Sequence, residues 1–166
     1  YLSGKLQHLN KSNRQIAIFI DRDGVINKEA DPLDRIDKLK ILPGVVNAIK
    51  KINKSDYLSL IITNQPIVAK GFVSEDQLGT FHNYMESFFG VDGAYFNRIY
   101  YCPHHPERGY KGERIDYKIL CGCRKPKTGL IKQAVNEMNI DLNQSFIIGD
   151  RTVDIMTGVN AKLQTI

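Results

Sequence analysis

The 166 residues amount to one domain of ordinary size, able to bury roughly 70% of its unfolded surface in a single core. Hydrophobic residues at 42% and charged residues at 25% exclude a disordered, collagen-like or coiled-coil chain, and no apolar run approaches the roughly 18 residues of a membrane span. Lysine and arginine number 23 against 18 aspartates and glutamates, a net +5 scattered in ones and twos; this favours a small anionic substrate over nucleic acid or a membrane. No signal-peptide pattern opens the chain, and with Tyr1 rather than Met at its start it is expected to be a piece of a longer polypeptide. Three cysteines, with Cys121 and Cys123 too close to pair easily, suit a metal site in a reduced, cytoplasmic setting better than a disulfide framework.

Residues 1–14 are polar and read as a tail or linker ahead of a domain over 15–166. Gln15 to Ile20 is a β-branched and aromatic run, a buried strand that stops at Asp21-Arg22-Asp23-Gly24. Pro43-Gly44 opens a helical pattern with Val45, Ile49 and Ile52 on one face. A second strand, Leu58 to Ile62, stops at Thr63-Asn64-Gln65. Ser74 and Gln77 have capping-box spacing and start a long helix through Phe81, Met85 and Phe88 towards Gly90, with His82 on its surface. Ala94 to Tyr101 reads as a third strand. The stretch from Cys102 to Arg124 has no regular period and holds every cysteine. Thr128 to Met138 is helical with Leu130, Ile131, Ala134 and Val135 inward. Ser145 to Ile148 is a fourth strand ending at Gly149-Asp150; a short helix starts near Thr152, and Leu163 to Ile166 starts a fifth strand. This alternation predicts an α/β fold, a mostly parallel sheet with helices on both faces in a three-layer α/β/α sandwich. In such sheets the site lies beyond the carboxyl ends of the strands. Asp21, Thr63 and Asp150 each follow a strand, so they are expected to meet.

Asp21 and Asp23, one residue apart on a turn, and the later pair Asp150 and Asp154 are hard oxygen ligands of the kind that hold Mg²⁺. A D-x-D-G segment alone is more often a polar turn; followed in order by Thr63, Lys125 and Asp150 it reads as a site. Cys102-Pro103-His104 and Cys121-Gly122-Cys123 offer three thiolates and an imidazole, a closed set suited to structural Zn²⁺, with His105 as a competing imidazole. Zinc there would staple a loop, 102–123, that is longer than a compact domain usually leaves unstructured.

These segments together resemble the haloacid dehalogenase superfamily over nearly all of residues 15–166. Asp21-Arg22-Asp23-Gly24-Val25-Ile26-Asn27 is similar to its first motif, Ile62-Thr63-Asn64-Gln65 to its second, Lys125 in Cys123-Arg124-Lys125-Pro126 to its third, and Ile148-Gly149-Asp150-Arg151 with Asp154 to its fourth. The resemblance implies a phosphatase without a large cap domain. Asp21 would attack phosphorus to form an aspartyl-phosphate, and Asp23, with a raised pKa, would act as acid and then base. Asp21, Asp150 and the Asp23 carbonyl would hold Mg²⁺, while Thr63 and Lys125 would donate to the phosphoryl oxygens. Asp154 would brace the loop or the metal's water shell, and His104 would be the zinc imidazole.

Within the superfamily the zinc loop resembles two groups, the heptose 1,7-bisphosphate phosphatases and the histidinol-phosphate phosphatases. The 16 residues between His104 and Cys121, and the run Thr63 to Gly71, favour the former, with the 7-phosphate removed. Short loops over Asn27–Leu39 and Pro66–Val73, with the zinc loop, would choose the substrate. Asn64, Gln65, Arg124 and Arg151 would bind it, and Arg124, Lys70 and Arg151 are the cations offered to a second phosphate. Phosphorylated DNA ends are a weaker substrate class, since no basic stripe is interleaved with aromatics. A non-catalytic zinc-stabilised partner domain is the alternative outside enzymes. Tyr1 to Lys5 is similar to the segment that joins a sugar-1-phosphate nucleotidyltransferase to such a phosphatase in fused enzymes, which implies an N-terminal fusion.

Overall fold

A computed structural model describes residues 14–30 and 32–166; the segment Tyr1 to Lys5, His8 and all but the last residue of the expected tail lie outside them. Five strands, β1 (Ile16–Ile20), β2 (Tyr57–Asn64), β3 (Arg98–Cys102), β4 (Phe146–Ile148) and β5 (Gln164–Thr165), form one sheet in the order β3-β2-β1-β4-β5. Every neighbouring pair is parallel. The register sets Phe19 beside Leu60 and Ile20 beside Ile61, so side chains of one parity share a face across strands.

That parity divides the core. Ala17, Phe19, Leu58, Leu60 and Ile62 face one way and pack with Leu130, Ile131 and Ala134 of α3 (Gly129–Met138) and with Ala161 of α4 (Thr152–Ala161). Ile20 and Ile61 face the other way, against Ile49 of α1 (Val45–Asn53) and Met85 and Phe89 of α2 (Glu75–Val91). With both faces covered, β2 is buried at six consecutive positions, as expected for a central parallel strand. The arrangement is the three-layer α/β/α sandwich.

Three readings need correction. The third strand starts at Arg98 rather than Ala94, although Ala94 and Phe96 are fully buried. The backbone of Tyr95 is taken by a side chain instead of a strand: its N–H donates to Asn53 Oδ1 and its carbonyl accepts from Asn53 Nδ2, both at 2.9 Å. His82 is buried, not on the surface. Ser74 and Gln77 do form the capping box, and from that start Leu78, Phe81, His82, Met85 and Phe89 make the inward stripe of α2. The stripe takes Phe89 and leaves Phe88 exposed at 44%.

No insertion among the described residues is large enough for a second domain. The long connections are 21–44 and 103–128, each with one turn of 3-10 helix, at Ile36–Lys38 and Ile115–Tyr117.

Candidate active site

The carboxyl ends of β1, β2 and β4 lie at one sheet edge, and the Asp21 N–H donates to the Ile148 carbonyl at 3.0 Å, tying the first turn to the last. Lys125 reaches this edge from the connection 103–128. Its ammonium sits 2.9 Å from Asp21 Oδ1 and 2.5 Å from Asp154 Oδ1, and donates to the Ile62 carbonyl at 3.1 Å. Lys125 and Asp154 are both buried. Asp154 Oδ2 accepts the Arg151 N–H at the start of α4, so one carboxylate caps a helix and aims a lysine. Asp154 was expected to brace the loop or the metal's water shell, and here it both caps the helix and pairs with Lys125. Its signal was the spacing that places it at the third position of a helix opening on the site.

Asp150 completes the cluster, with one carboxylate oxygen each from Asp21, Asp150 and Asp154 lying within 4.8 Å of one another. Asp150 packs against the turn after β1 at Gly24, whose φ is +85° and whose hypothetical Cβ would stand 2.1 Å from Asp150 Oδ2. Three carboxylates gather here, and the one ammonium pairs with two of them, Asp21 and Asp154. Burial pushes Asp21 up to about 6 against the opposing pull of Lys125, and Asp154 adds to the rise. This deficit of positive charge, with carboxylate oxygens as donors, fits a divalent cation that takes hard ligands. Because both oxygens of Asp154 are engaged, Asp21 and Asp150 are the side chains left to hold it.

Asp23 has a different setting. Arg22 donates to it through Nε and Nη2 at 2.9–3.3 Å, Asn27 Nδ2 donates at 2.9 Å, and Gln65 Nε2 at 2.8 Å. Burial pushes the carboxyl up, but the Arg22 charge and these hydrogen bonds outweigh it and hold Asp23 below the ordinary carboxylate value. The raised pKa expected for Asp23 is therefore corrected: in this pair the raised group is Asp21.

Thr63 accepts from Gln65 Nε2 at 2.8 Å and lines a cavity of about 360 Å³ together with Asp21, Lys70, His105, Arg124 and Arg151. Asn64 and Gln65, expected to bind substrate, line it too, but their amides have protein partners. Asn64 brackets the Lys125 backbone at 3.0 and 3.2 Å, and Gln65 spans Arg22, Asp23 and Thr63. Among the cations at the mouth, Arg151 pairs with Glu29, whereas Lys70 and Arg124 have no salt bridge among the described residues. Lys70 stands 4.7 Å from the Tyr110 ring centroid, and Arg124 donates to the His104 carbonyl at 3.3 Å.

Behind Arg124, the three sulfurs and His104 Nδ1 converge. Sulfur–sulfur separations are 3.1–3.5 Å, and His104 Nδ1 is 3.3 and 3.6 Å from Cys123 and Cys102. A tetrahedron with metal–sulfur bonds of about 2.3 Å has edges of about 3.8 Å, so these donors lie slightly inside that spacing. The donor set fits one zinc ion. His105 is not in the cluster; it lies in the cavity wall. Burial pushes the Cys102 thiol up, so this sulfur favours its protonated form until a bound cation stabilises the thiolate.

The sheet order and the ordered site residues define a class, the haloacid dehalogenase-like hydrolases, and a HAD-hydrolase-like family model matches residues 122–166. The chain is 40% identical over 148 residues to D-glycero-beta-D-manno-heptose-1,7-bisphosphate 7-phosphatase of Haemophilus influenzae, covering 89% of this chain and 78% of that one. It is 35% identical to the corresponding alpha-anomer enzyme of Burkholderia mallei, over 90% of this chain and 77% of that one. Among solved structures it is similar to D,D-heptose 1,7-bisphosphate phosphatase of B. bronchiseptica complexed with magnesium and phosphate, with TM-score 0.79, 28% identity and coverage of 91% and 79%. The chain belongs to the heptose-1,7-bisphosphate 7-phosphatase family of haloacid dehalogenase-like hydrolases.

Proposed function

We propose that this protein is a magnesium-dependent phosphatase that removes the C7 phosphate of D-glycero-D-manno-heptose 1,7-bisphosphate and acts in the cytoplasm. The observation that carries the reading is the buried bridge of Lys125 between Asp21 and Asp154, beside Asp150, in a chain 40% identical to a phosphatase of that substrate. Cysteines gathered as a metal-ligand set and not in disulfides support the compartment.

Asp21 attacks phosphorus through a carboxylate oxygen, forming the aspartyl-phosphate as the bond to the C7 oxygen breaks. Asp23 gives its proton to that departing oxygen. It then takes a proton from the water whose oxygen attacks phosphorus, and the Asp21–phosphate bond breaks to release inorganic phosphate. The clamp on Asp23 favours the ionised form that the second step uses, and an arriving phosphate dianion raises its proton affinity for the first. Thr63 and the Lys125 ammonium donate to phosphoryl oxygens as charge develops there. Mg²⁺, held by Asp21, Asp150 and the Asp23 carbonyl, supplies charge neutralisation at the phosphoryl oxygens when bound. Arg124 and Lys70 are the groups offered to the C1 phosphate.

Phosphate release with Mg²⁺ from the heptose bisphosphate, histidinol phosphate and simple sugar phosphates tests this. The bisphosphate is expected to have the highest kcat/KM, and Asp21→Asn to abolish release from all. A higher kcat/KM for histidinol phosphate would reject the substrate, and an active Asp21→Asn the mechanism.

A further inference from the structure

Beneath the cavity floor lies a buried polar chain that the mechanism leaves without a role. Arg22, the residue between the two motif aspartates, is 1% exposed and is among the largest fully buried side chains. Its guanidinium divides three ways: Nε and Nη2 go to Asp23, Nη2 also donates to Gln65 Oε1 at 2.8 Å, and Nη1 lies 3.3 Å from His82 Nε2. An arginine has donors only, so His82 Nε2 is the acceptor and the ring's proton is on Nδ1. His82 is 7% exposed in the middle of α2, its ring 5.5 Å from that of Tyr101, and it does not line the cavity. A neutral imidazole thus satisfies the one arm of Arg22 that points away from the site.

We propose that His82 is a positioning residue for the phosphatase reaction: by accepting from Arg22 it fixes the guanidinium that holds Asp23 and Gln65 in place under the leaving group. The argument is geometric. A planar fork cannot turn one arm without turning the others. If Nη1 had no acceptor in this buried place, Arg22 would rotate to find one, since an unmet buried donor is costly. Both oxygens of Asp23 and the amide of Gln65, which spans Asp23 and Thr63, would move with it. The groups that touch substrate are Asp23 and Thr63; His82 acts only through Arg22. The inference rests on the reading of Asp23 as the acid that protonates the departing oxygen.

Loss of acid catalysis has a signature that loss of stability does not. A poor leaving group needs the proton and a good one does not, so kcat/KM depends more steeply on leaving-group pKa when the acid is displaced. The slope of that dependence is unaffected by the fraction of a preparation that is folded. We would measure kcat/KM over a series of aryl phosphates whose phenols span several pKa values, for the wild type, Asp23→Asn, His82→Met and His82→Gln. Asp23→Asn is expected to steepen the slope fully. His82→Met should steepen it part of the way, losing roughly 10-fold on the poorest leaving group, a fraction of the ~10²–10⁴ that removing an acid costs. His82→Gln, whose carbonyl can accept from Arg22, should restore the wild-type slope. A wild-type slope in His82→Met, or an equally steep one in His82→Gln, overturns the proposal. An unchanged slope in Asp23→Asn instead overturns the role of Asp23, and the inference with it.

Discussion

The cavity has two walls of different construction. Its floor is made at strand ends and is densely cross-linked: Lys125 lies between Asp21 and Asp154, and Arg22 reaches across Asp23, Gln65 and His82. Its rim is residues 103–128, with a single turn of 3-10 helix, fastened by the four-ligand cluster and a few links to neighbouring segments. Ala69 exchanges backbone hydrogen bonds with Pro103 and Arg114 at 3.3 and 3.0 Å, and the Tyr117 hydroxyl donates to Glu75 Oε2 at 2.8 Å. At one point the two segments touch so closely that a Cβ on Gly71 would stand 1.9 Å from the Gly112 carbonyl oxygen. The floor carries groups that must be aimed at phosphorus. The rim carries Arg124 and, through Tyr110, Lys70, two cations that line the cavity and that the proposed function offers to the second phosphate. In the proposed function chemistry sits on the rigid sheet edge and selection on a stapled loop.

If the floor is over-determined in this way, breaking one of its pairs must harm stability and turnover together. Asp154→Asn removes one of the two carboxylates facing a buried ammonium, and a broken buried pair costs roughly 3 kcal/mol. The aim of Lys125 is lost as well, and misplacement of about 1 Å is worth ~10² in rate. Denaturant unfolding and kcat on one preparation test both. A variant of wild-type stability and turnover would mean that Asp21 alone holds the lysine. The rim should respond differently. Arg124→Ala is expected to lose ~10–100-fold in kcat/KM for the bisphosphate, the worth of a charge-assisted contact, with little change for a simple monophosphate. Equal losses on both substrates would show that Arg124 serves the floor.

The difference between floor and rim also governs what could be read from the chain. Strand ends were legible because β-branched runs stop abruptly at Asp21, Thr63 and Asp150, and polar stops in a parallel sheet converge by topology. The zinc set was legible because its donors are rare residue types at short spacings. What escaped was the direction of side chains once buried. The run His82-Asn83-Tyr84 looks polar enough for a surface, but position 82 shares the stripe of Leu78 and Phe89. Arg22 passes for a spacer in a motif until its burial makes it the hub of the floor. The sign of the Asp23 shift depends on that hub, and no spacing along the chain predicts where a guanidinium turns.

The smallest expected effect, and the one that sharpens the floor most, is a pH dependence of folding. Burial, with the Arg22 charge beside it, pushes His82 down to about 3 from an ordinary value near 6.5. A histidine with a depressed folded pKa binds its proton in the unfolded chain first. Its neutral burial therefore favours folding at neutral pH, and that stability is lost as pH falls below about 6.5, continuing down towards 3. Between pH 7.5 and 5 the loss amounts to about 2 kcal/mol. Asp21 works in the opposite direction without a bound cation: its folded value is raised to about 6, so protonation below that pH favours the folded state. The whole-protein profile would mix the two. Subtracting the unfolding free energies of His82→Gln from those of the wild type at each pH removes the Asp21 contribution, since both proteins keep it. That difference should shift by about 2 kcal/mol against the wild type between pH 7.5 and 5. A flat difference would mean that His82 is protonated in the folded protein; Nε2 could then accept nothing from Arg22.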